Sequence, residues 1–440
     1  MQQKTKLGFN FGLRGWLLMI FEFSAFAVFQ VFTNFPMNML GDYYGGGPGG
    51  AAKIAPLLTI GTLVGIVIQL VLSNFVGKMK SVKVMTLIFG LLTLVFAFGV
   101  ALVHPGTLWL VCYFLVCVFS NIYGMFGIGI IIGQWFPTRK GVFMGIATLI
   151  FPVVNGLMGP FAGAVFANGA PNPFAGFLPY LIFGIVGWLI GLIFIKDYPE
   201  QVGCYRDNDK SFTKEKADAM LAVEIENKKT TVWKLGHTLK CSQFWLITVP
   251  MGTLLMCSVG MMTQTTQIIG AYPGLEFGAV MGMVMIFALI GSYVLGLIDG
   301  KFGTKTAITI SVIVMLLSGI LGGIGNQTTT MISIVLLAIF MGAGSNFTVS
   351  GAAQYWRRED FSTVFGIVNP VANILQCIGP MMVAMTVVKA VTLPFWVTAV
   401  IALISLILIL CFKPSKVKET DDKYRKAAGK ELDDALVGRK

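Results

Sequence analysis

The side chains of this chain that could do chemistry are few, and they lie inside long apolar runs. Glu22 is the one ionisable residue clearly within such a run, eight positions past Arg14. Burial in hydrocarbon disfavours a charged carboxylate. Glu22 therefore reads either as a protonatable site coupling a solute to a proton gradient, or as a neutral carboxyl packing the mouth of its helix. The other polar groups at this depth are uncharged. Gln30, Thr33 and Asn34 precede Pro36, and Ser120, Asn121 and Tyr123 follow in a later run. Thr263-Gln264-Thr265-Thr266-Gln267 is the densest polar cluster, and Ser345, Asn346, Thr348, Asn373 and Gln376 complete the set. An amide in lipid must find a partner, so each is interhelix glue or the lining of a wet cavity. Gln264 and Gln267 lead the binding candidates. Asn34, Tyr123 and Asn346 follow, then Gln30, Asn121, Asn373 and Gln376.

A short text is written twice, roughly 220 residues apart. Trp135-Phe-Pro-Thr-Arg139-Lys140-Gly141 is answered by Trp356-Arg357-Arg358-Glu359-Asp360, and each copy runs on through a Pro-x-x-Asn step to Gly-Pro. Those steps are Pro152 to Asn155 and Pro370 to Asn373, and the ends are Gly159-Pro160 and Gly379-Pro380. Proline frees a carbonyl one turn back and bends a helix. An Asn three residues on can satisfy that backbone or face a cavity, and a structural hinge is the preferred reading. Gly156, Gly159 and Gly379 read as packing surfaces where helices slide. Arg139, Lys140, Arg357 and Arg358, with Lys78 and Lys301, read as topogenic charge beside interfacial Trp anchors. The alternative is a gate that pairs them with Glu359, Asp360 or other acids.

The elements that must position these groups are membrane helices. Hydrophobic residues make up 56% and charged residues 12%, where a soluble domain would carry about 25% charged. The apolar blocks of about 20 residues cross a bilayer as helices. Twelve spans are predicted, near 14–40, 53–76, 83–103, 107–133, 141–167 and 177–195, then 243–270, 277–299, 305–325, 329–354, 362–388 and 391–412. Between them, 196–242 holds nine Lys/Arg and eight Asp/Glu and reads as a solvated linker with some helix around 214–227. A polar tail, 413–440, follows. Lys4, Lys6 and Arg14 precede an apolar run through Met39, too long for a signal segment, so this run reads as a retained first span. Placing the N-terminus in the cytoplasm puts 30 of 32 Lys/Arg on that side, leaving only Lys53 and Lys389 outside. The positive-inside rule then places both termini in the cytoplasm. Gly77-Lys78-Met-Lys80-Ser-Val-Lys83 is matched by Gly300-Lys301-Phe-Gly303-Thr-Lys305, so both halves enter the membrane with one polarity. This predicts an all-α polytopic protein of two parallel six-helix repeats, 1–195 and 243–412, related about the membrane normal.

In combination these features resemble the major facilitator superfamily over residues 10–412: the 6+6 spans, the long central loop, the basic loops after spans 2 and 8, and Gly-x-x-Gly-Pro at Gly156–Pro160. The resemblance implies the fold of that family, a cavity lined by spans 1, 4, 7 and 10, and a switch loop whose carboxylate is displaced here, since Gly77 and Gly300 stand in its place with Asp299 one position earlier. Trp135-Phe136-Pro137-x-Arg139-Lys140-Gly141 is similar to the oxalate–formate antiporter branch, related to monocarboxylate porters. Dicarboxylate carriers of that branch use basic residues in spans 8 and 11. Here 277–299 holds no Lys or Arg, and span 11 has only Lys389 at its outer end. A dianion without a fixed cation is strongly disfavoured in a low-dielectric cavity.

The function expected is secondary active transport of a small organic solute, a monocarboxylate first, by alternating access across a cytoplasmic membrane. It would be coupled to protons or to exchange. A neutral or amphipathic metabolite is the alternative cargo, and a non-transport membrane sensor or enzyme the remote one. No cofactor and no metal site is expected, since the seven cysteines show no C-x-x-C spacing and read as apolar packing residues. The partners expected are the solute, protons and the lipid bilayer. Nucleic acid is not expected, because the +12 charge forms no basic stripe interleaved with aromatics. Neither is a nucleotide, because no Gly-x-x-x-x-Gly-Lys-Ser/Thr loop is present.

Overall fold

The computed structural model describes residues 9–47, 50–168, 170–229, 231–341 and 343–430, which form helices and no strand. Ten helices are long and apolar enough to cross a membrane, and two bent pairs make twelve when each pair counts as one span. Spans 1 to 4 are Gly12–Gly45, Gly50–Val76, Val82–Leu102 and Thr107–Trp135. Span 5 is the bent pair Lys140–Gly156 and Pro160–Phe166, and span 6 is Pro173–Phe194. Spans 7 to 9 are Ser242–Thr263, Gly278–Phe302 and Thr304–Ile324. Span 10 is the bent pair Gln327–Met341 and Asn346–Tyr355, and spans 11 and 12 are Arg358–Val387 and Leu393–Cys411. The helices are apolar outward as well as inward. On span 3, Val84, Ile88, Leu91 and Val95 form an exposed stripe at helical spacing, while Gly90, Thr93 and Ala97 are buried. Lipid is the solvent that makes such a face stable.

Where lipid offers no hydrophobic drive between helices, small residues must let them approach. Span 6 presents Gly184, Gly187 and Gly191 to Val28, Ser24 and Phe21 of span 1, and a Cβ on any of the three would clash. Span 9 presents Gly319 and Gly322 to Ala399 and Phe395 of span 12 in the same way. A Cβ on Gly379 would lie 2.1 Å from Met256 O of span 7, so Gly379 is a packing surface as expected. The packing around Gly159 lies outside the described residues.

The two sets of six spans meet at the end that carries the 196–242 linker. There span 5 crosses span 8 at Gly145 and Gly296, backbone on backbone. Gly129 and Gly133 of span 4 accept Phe365 and Phe361 of span 11, and Gly366 faces Ser73 of span 2. Contact reaches outward as far as Gly156 against Met285. Beyond it, a Cβ on Gly163, Gly278 or Gly282 would meet nothing within 4 Å.

Two expectations need correction, and one span is longer than expected. Span 1 runs through Pro36. It continues to Gly45 with a kink at Leu40, because Tyr44 stacks on Trp109 at 3.8 Å and its hydroxyl donates to Val100 O. The two Pro-x-x-Asn steps do not bend alike: span 5 is interrupted at Thr148–Leu149 and again at Leu157, whereas span 11 runs unbroken through Pro370 and Pro380. The linker is not a solvated tether. Its helix Lys214–Lys229 buries Met220, Leu221, Glu224 and Lys228, and Trp233 beyond it is fully buried.

Charge explains the linker's position. Arg206 donates to Glu200 (3.0 Å) and Glu224 (2.8 Å), and Arg358 at the start of span 11 donates to the same two carboxylates. The four side chains form a neutral ring of alternating sign. Arg358 also donates to Gln134 O of span 4 at 2.7 Å, and Gln134 returns a bond to Ser362 at 3.1 Å. The tail helix Pro414–Ala427 adds a second ionic group. Asp421 accepts from Arg357 and Trp233, each at 2.8 Å, and Arg425 pairs with Asp360. Burial works to raise the Asp421 pKa, but Arg425, Arg357 and Trp233 hold it below the ordinary carboxylate value. Arg358 thus pairs with two linker acids and Arg357 with Asp421 of the tail, while Asp360 pairs with Arg425. Lys78 and Lys301 are exposed.

Two outcomes follow. Arg358→Gln leaves Glu200 and Glu224 buried with half their countercharge, and should cost about 3–5 kcal/mol. Thermal unfolding would register this, and adding Glu200→Gln and Glu224→Gln should recover much of it. A Cβ on Gly145 would lie 2.8 Å from Gly296 Cα, so Gly145→Val should part the halves at the linker end. Faster tryptic cleavage within 206–234 would report that parting, and unchanged cleavage would rule it out.

Candidate functional site

Glu22 stands about three turns into span 1, fully buried, and neither carboxyl oxygen has a hydrogen-bond partner. Its helix neighbours show what surrounds it. Ala25 and Phe26 face Gly124, Phe26 stacks on Phe151 at 4.7 Å, and Gly15 faces Phe136. Glu22 thus looks into the packing of spans 1, 4 and 5. It lies within electrostatic reach of Tyr123, itself buried with Phe21 5.9 Å away.

Tyr123 belongs to a stretch that no sequence pattern announced. Asn121–Ile128 is π-helical, between the α-helices Thr107–Ser120 and Gly129–Trp135 of the same span. Inserted π turns are concentrated at functional sites because they shift the register of one face and loosen a carbonyl. Gly124 and Gly127 within it allow the close approach of Phe26 and Thr86.

Outward of Glu22 lies an amide cluster. Gln30 Nε2 donates to Asn155 Oδ1 at 2.8 Å, and Asn34 Nδ2 donates to Gln30 Oε1 at 3.2 Å and Thr33 Oγ1 at 3.0 Å. All of Gln30, Asn34 and Asn155 are half-buried, so this cluster borders open space. The hinge Asn of the first repeat therefore spends its side-chain oxygen on a cavity amide of span 1. Pro152 is buried five residues before the break at Leu157.

A second polar chain crosses between the halves. Gln69 of span 2 donates to Asn121, and Asn369 of span 11 donates to Gln69 Oε1 and to Met125 O, each at 3.3 Å. Thr348 of span 10 donates to Asn369 Oδ1, also at 3.3 Å. Gln69 and Asn369 were missed in the sequence. Single amides in apolar runs carry no periodic signal, and only the meeting of the halves joins them.

The second half holds the remaining candidates apart. Asn346 and Asn373 are buried at 1% and 2% exposure, and none of their amide atoms has a hydrogen-bond partner. Gln264 is half-buried at the break between Ser242–Thr263 and Thr265–Gly270, Gln267 is exposed, and Gln376 is half-buried. These residues do not share the Gln30–Asn155 cluster.

At the linker end, Asp207 accepts from the backbone N–H groups of Thr138 (2.9 Å) and Arg139 (3.0 Å). Burial raises its pKa, and those donors oppose the rise. Burial also lowers the pKa of Lys228 in the linker helix. Arg139 itself donates to Asn10 O at 2.8 Å. Lys140 is buried within reach of Asp299 and Asp207. Asp299 accepts from Thr304 Oγ1 at 2.7 Å and lies against Gly141, beside the N-terminus of Lys140–Ala147, where a negative charge is favoured. Asp299 of the second repeat thus lies against the first half. In the first repeat Gly77 faces Lys228 O of the linker instead. Among the described residues no group of three His, Cys, Asp or Glu could hold a metal ion.

Solved structures place this arrangement. The human organic anion transporter MFSD10 (TETRAN) aligns with a TM-score of 0.63 at 11% identity, over 89% of this chain and 97% of its own. The proton:xylose symporter XylE aligns with a TM-score of 0.66 at 11% identity, over 93% of this chain and 97% of its own. The E. coli fucose:proton symporter FucP gives 0.63 at 12% identity, over 90% and 97%. At such identities the likeness shows the fold. No curated protein matches the chain in sequence. The family model described as Major Facilitator Superfamily matches residues 127–380 and 244–433. The first match alone covers more than half of the chain, and with the twelve spans it closes the question: this chain belongs to the major facilitator superfamily.

Proposed function

We propose that the chain is a secondary active transporter that carries a small organic solute, a monocarboxylate first, across the cytoplasmic membrane by alternating access. The rocking units are 1–195 and 243–412, and the linker, the tail and both termini are cytoplasmic. The observation that carries the reading is Glu22: a buried carboxyl with no hydrogen-bond partner, inward of the half-buried amides Gln30, Asn34 and Asn155. An intramembrane carboxyl of this kind is a functional site by default.

A carboxylate entering this cavity meets amides and no fixed cation near Glu22, so it travels with a proton or is exchanged. Glu22 is the proton site, and Gln30, Asn34, Asn121, Tyr123, Gln264, Gln267, Asn346, Asn373 and Gln376 remain the binding candidates. The similar structures include an organic anion transporter and two proton-coupled sugar symporters. They support transport and leave the cargo to experiment. The amide cluster also suits a neutral or amphipathic metabolite, which is the second reading.

Uptake of labelled formate, lactate and pyruvate into proteoliposomes, with neutral metabolites alongside, distinguishes the two. Glu22→Gln should abolish proton-driven accumulation while sparing exchange, a loss of about tenfold or more in the driven component. If uptake by the variant keeps the pH dependence of the parent, Glu22 has no part in coupling. Accumulation of a neutral solute alone would transfer the reading to the second class.

A further inference from the structure

We propose that Asn369 is a positioning residue that ties the register of the π-helical segment of span 4 to closure of the two halves at the linker end. Through that segment it sets where Tyr123 stands relative to Glu22. The proposal rests on the reading of Glu22 as the coupling site.

The amide nitrogen of Asn369 is spent on the interface, and its oxygen on span 10 of its own half. Its Nδ2 donates to Gln69 Oε1 and Met125 O, and its Oδ1 accepts from Thr348. Met125 lies within the π segment, where the wider turn leaves a carbonyl free to accept from outside the helix. Gln69 extends the grip to Asn121, the first residue of the same segment. One amide of the second half therefore holds the π segment at two points. Gln69, Asn121 and Asn369 are each at most 3% exposed, so no water substitutes when the halves are closed.

The device exists on one side only. Aligning Pro370 with Pro152 puts Asn369 opposite Phe151, which stacks on Phe26 instead. It is therefore not part of the hinge that the two halves share. If the halves part at the linker end, both grips are lost and the segment can rewind towards α geometry. Rewinding from i→i+5 to i→i+4 bonding tightens each turn, so residues beyond the segment rotate relative to those before it. Tyr123 would then leave its place beside Glu22, and the proton affinity of the carboxyl would differ between the two states. By linkage, the protonation of Glu22 must then bias closure by the same factor.

Other titratable groups on the helices packed around span 1 are committed elsewhere. Lys83 Nζ donates to Leu192 O, Tyr113 to Thr33 O and Lys53 to Gly45 O. Tyr180 packs on Phe35, and Lys140 faces Asp299 and Asp207. Cys112 lies against Gly99, Cys117 against Gly61, and Arg14 of span 1 itself donates to Phe194 O.

The test reads closure rather than transport, so it needs no known cargo. Ser73 is buried against Gly366 at the linker end. A Ser73→Cys reporter in the full chain, with native cysteines replaced by serine, is labelled with an impermeant maleimide from that side between about pH 5 and 8. Because the thiolate fraction alone raises maleimide labelling with pH, each rate is divided by that of the same reporter in the denatured chain at that pH. The expected result is normalised labelling that depends on pH and that Glu22→Gln flattens. Asn369→Ala and Gln69→Leu should each raise labelling about tenfold and flatten it too. Melting temperatures confirm folding, and the two variants break the same bridge from opposite halves. If both keep the rate and pH dependence of the reporter while Glu22→Gln flattens it, the proposal fails and the Glu22 reading stands. Raised labelling with pH dependence intact makes the bridge a static brace and overturns the proposal as well. Labelling whose pH dependence survives Glu22→Gln, or is absent from the reporter, removes the Glu22 reading and the proposal together.

Discussion

A polar group inside a bilayer has no water to turn to, and the rest of this structure depends on that constraint. It forces the backbone into helices that satisfy their own hydrogen bonds. It leaves glycine as the means of bringing helices together, as in the Gly184, Gly187 and Gly191 row against span 1. It also decides the fate of side chains. Amides find one another across helices, as Gln30 and Asn155 do, or stay buried without a hydrogen-bond partner among the described residues, as Asn346 and Asn373 do.

The closed end is built in two layers with different physics. The inner layer is neutral: Asn369, held by Thr348 of its own half, donates across to Gln69 and Met125, and Gln69 donates on to Asn121. The outer layer is ionic: Arg206 and Arg358 alternate with Glu200 and Glu224, and the tail helix adds Asp421 and Arg425. Buried ion pairs are poor sources of net stability but strict about geometry, since losing one partner strands the other. A layer of that kind suits a surface that must open and then close in the same register.

The repeats have diverged where this closure needs asymmetry. The second repeat keeps a carboxylate, Asp299, against the helix start at Lys140–Gly141. The first has Gly77, and the linker fills the space that a side chain would have taken. One Pro-x-x-Asn step lies in a broken span and the other in a straight one. Equal text therefore does not imply equal mechanics, because each copy meets different neighbours.

By itself the sequence determined the twelve spans, their parallel pairing and the major facilitator fold, since these follow from block length, charge distribution and an internal repeat that need no partner to be read. It also pointed to Glu22, because a lone carboxyl in an apolar run stands out in one dimension. Only the tertiary structure decided that one face of the polar linker is buried, since Glu200 and Glu224 look solvated until Arg358 is brought to them from 158 and 134 residues away. Only it decided that Asn121–Ile128 winds as a π-helix, and that Gln69 meets Asn369 across 300 residues. Helix formation and membrane insertion are local properties of the chain, whereas the pairing of single polar atoms is settled by how the two bundles pack.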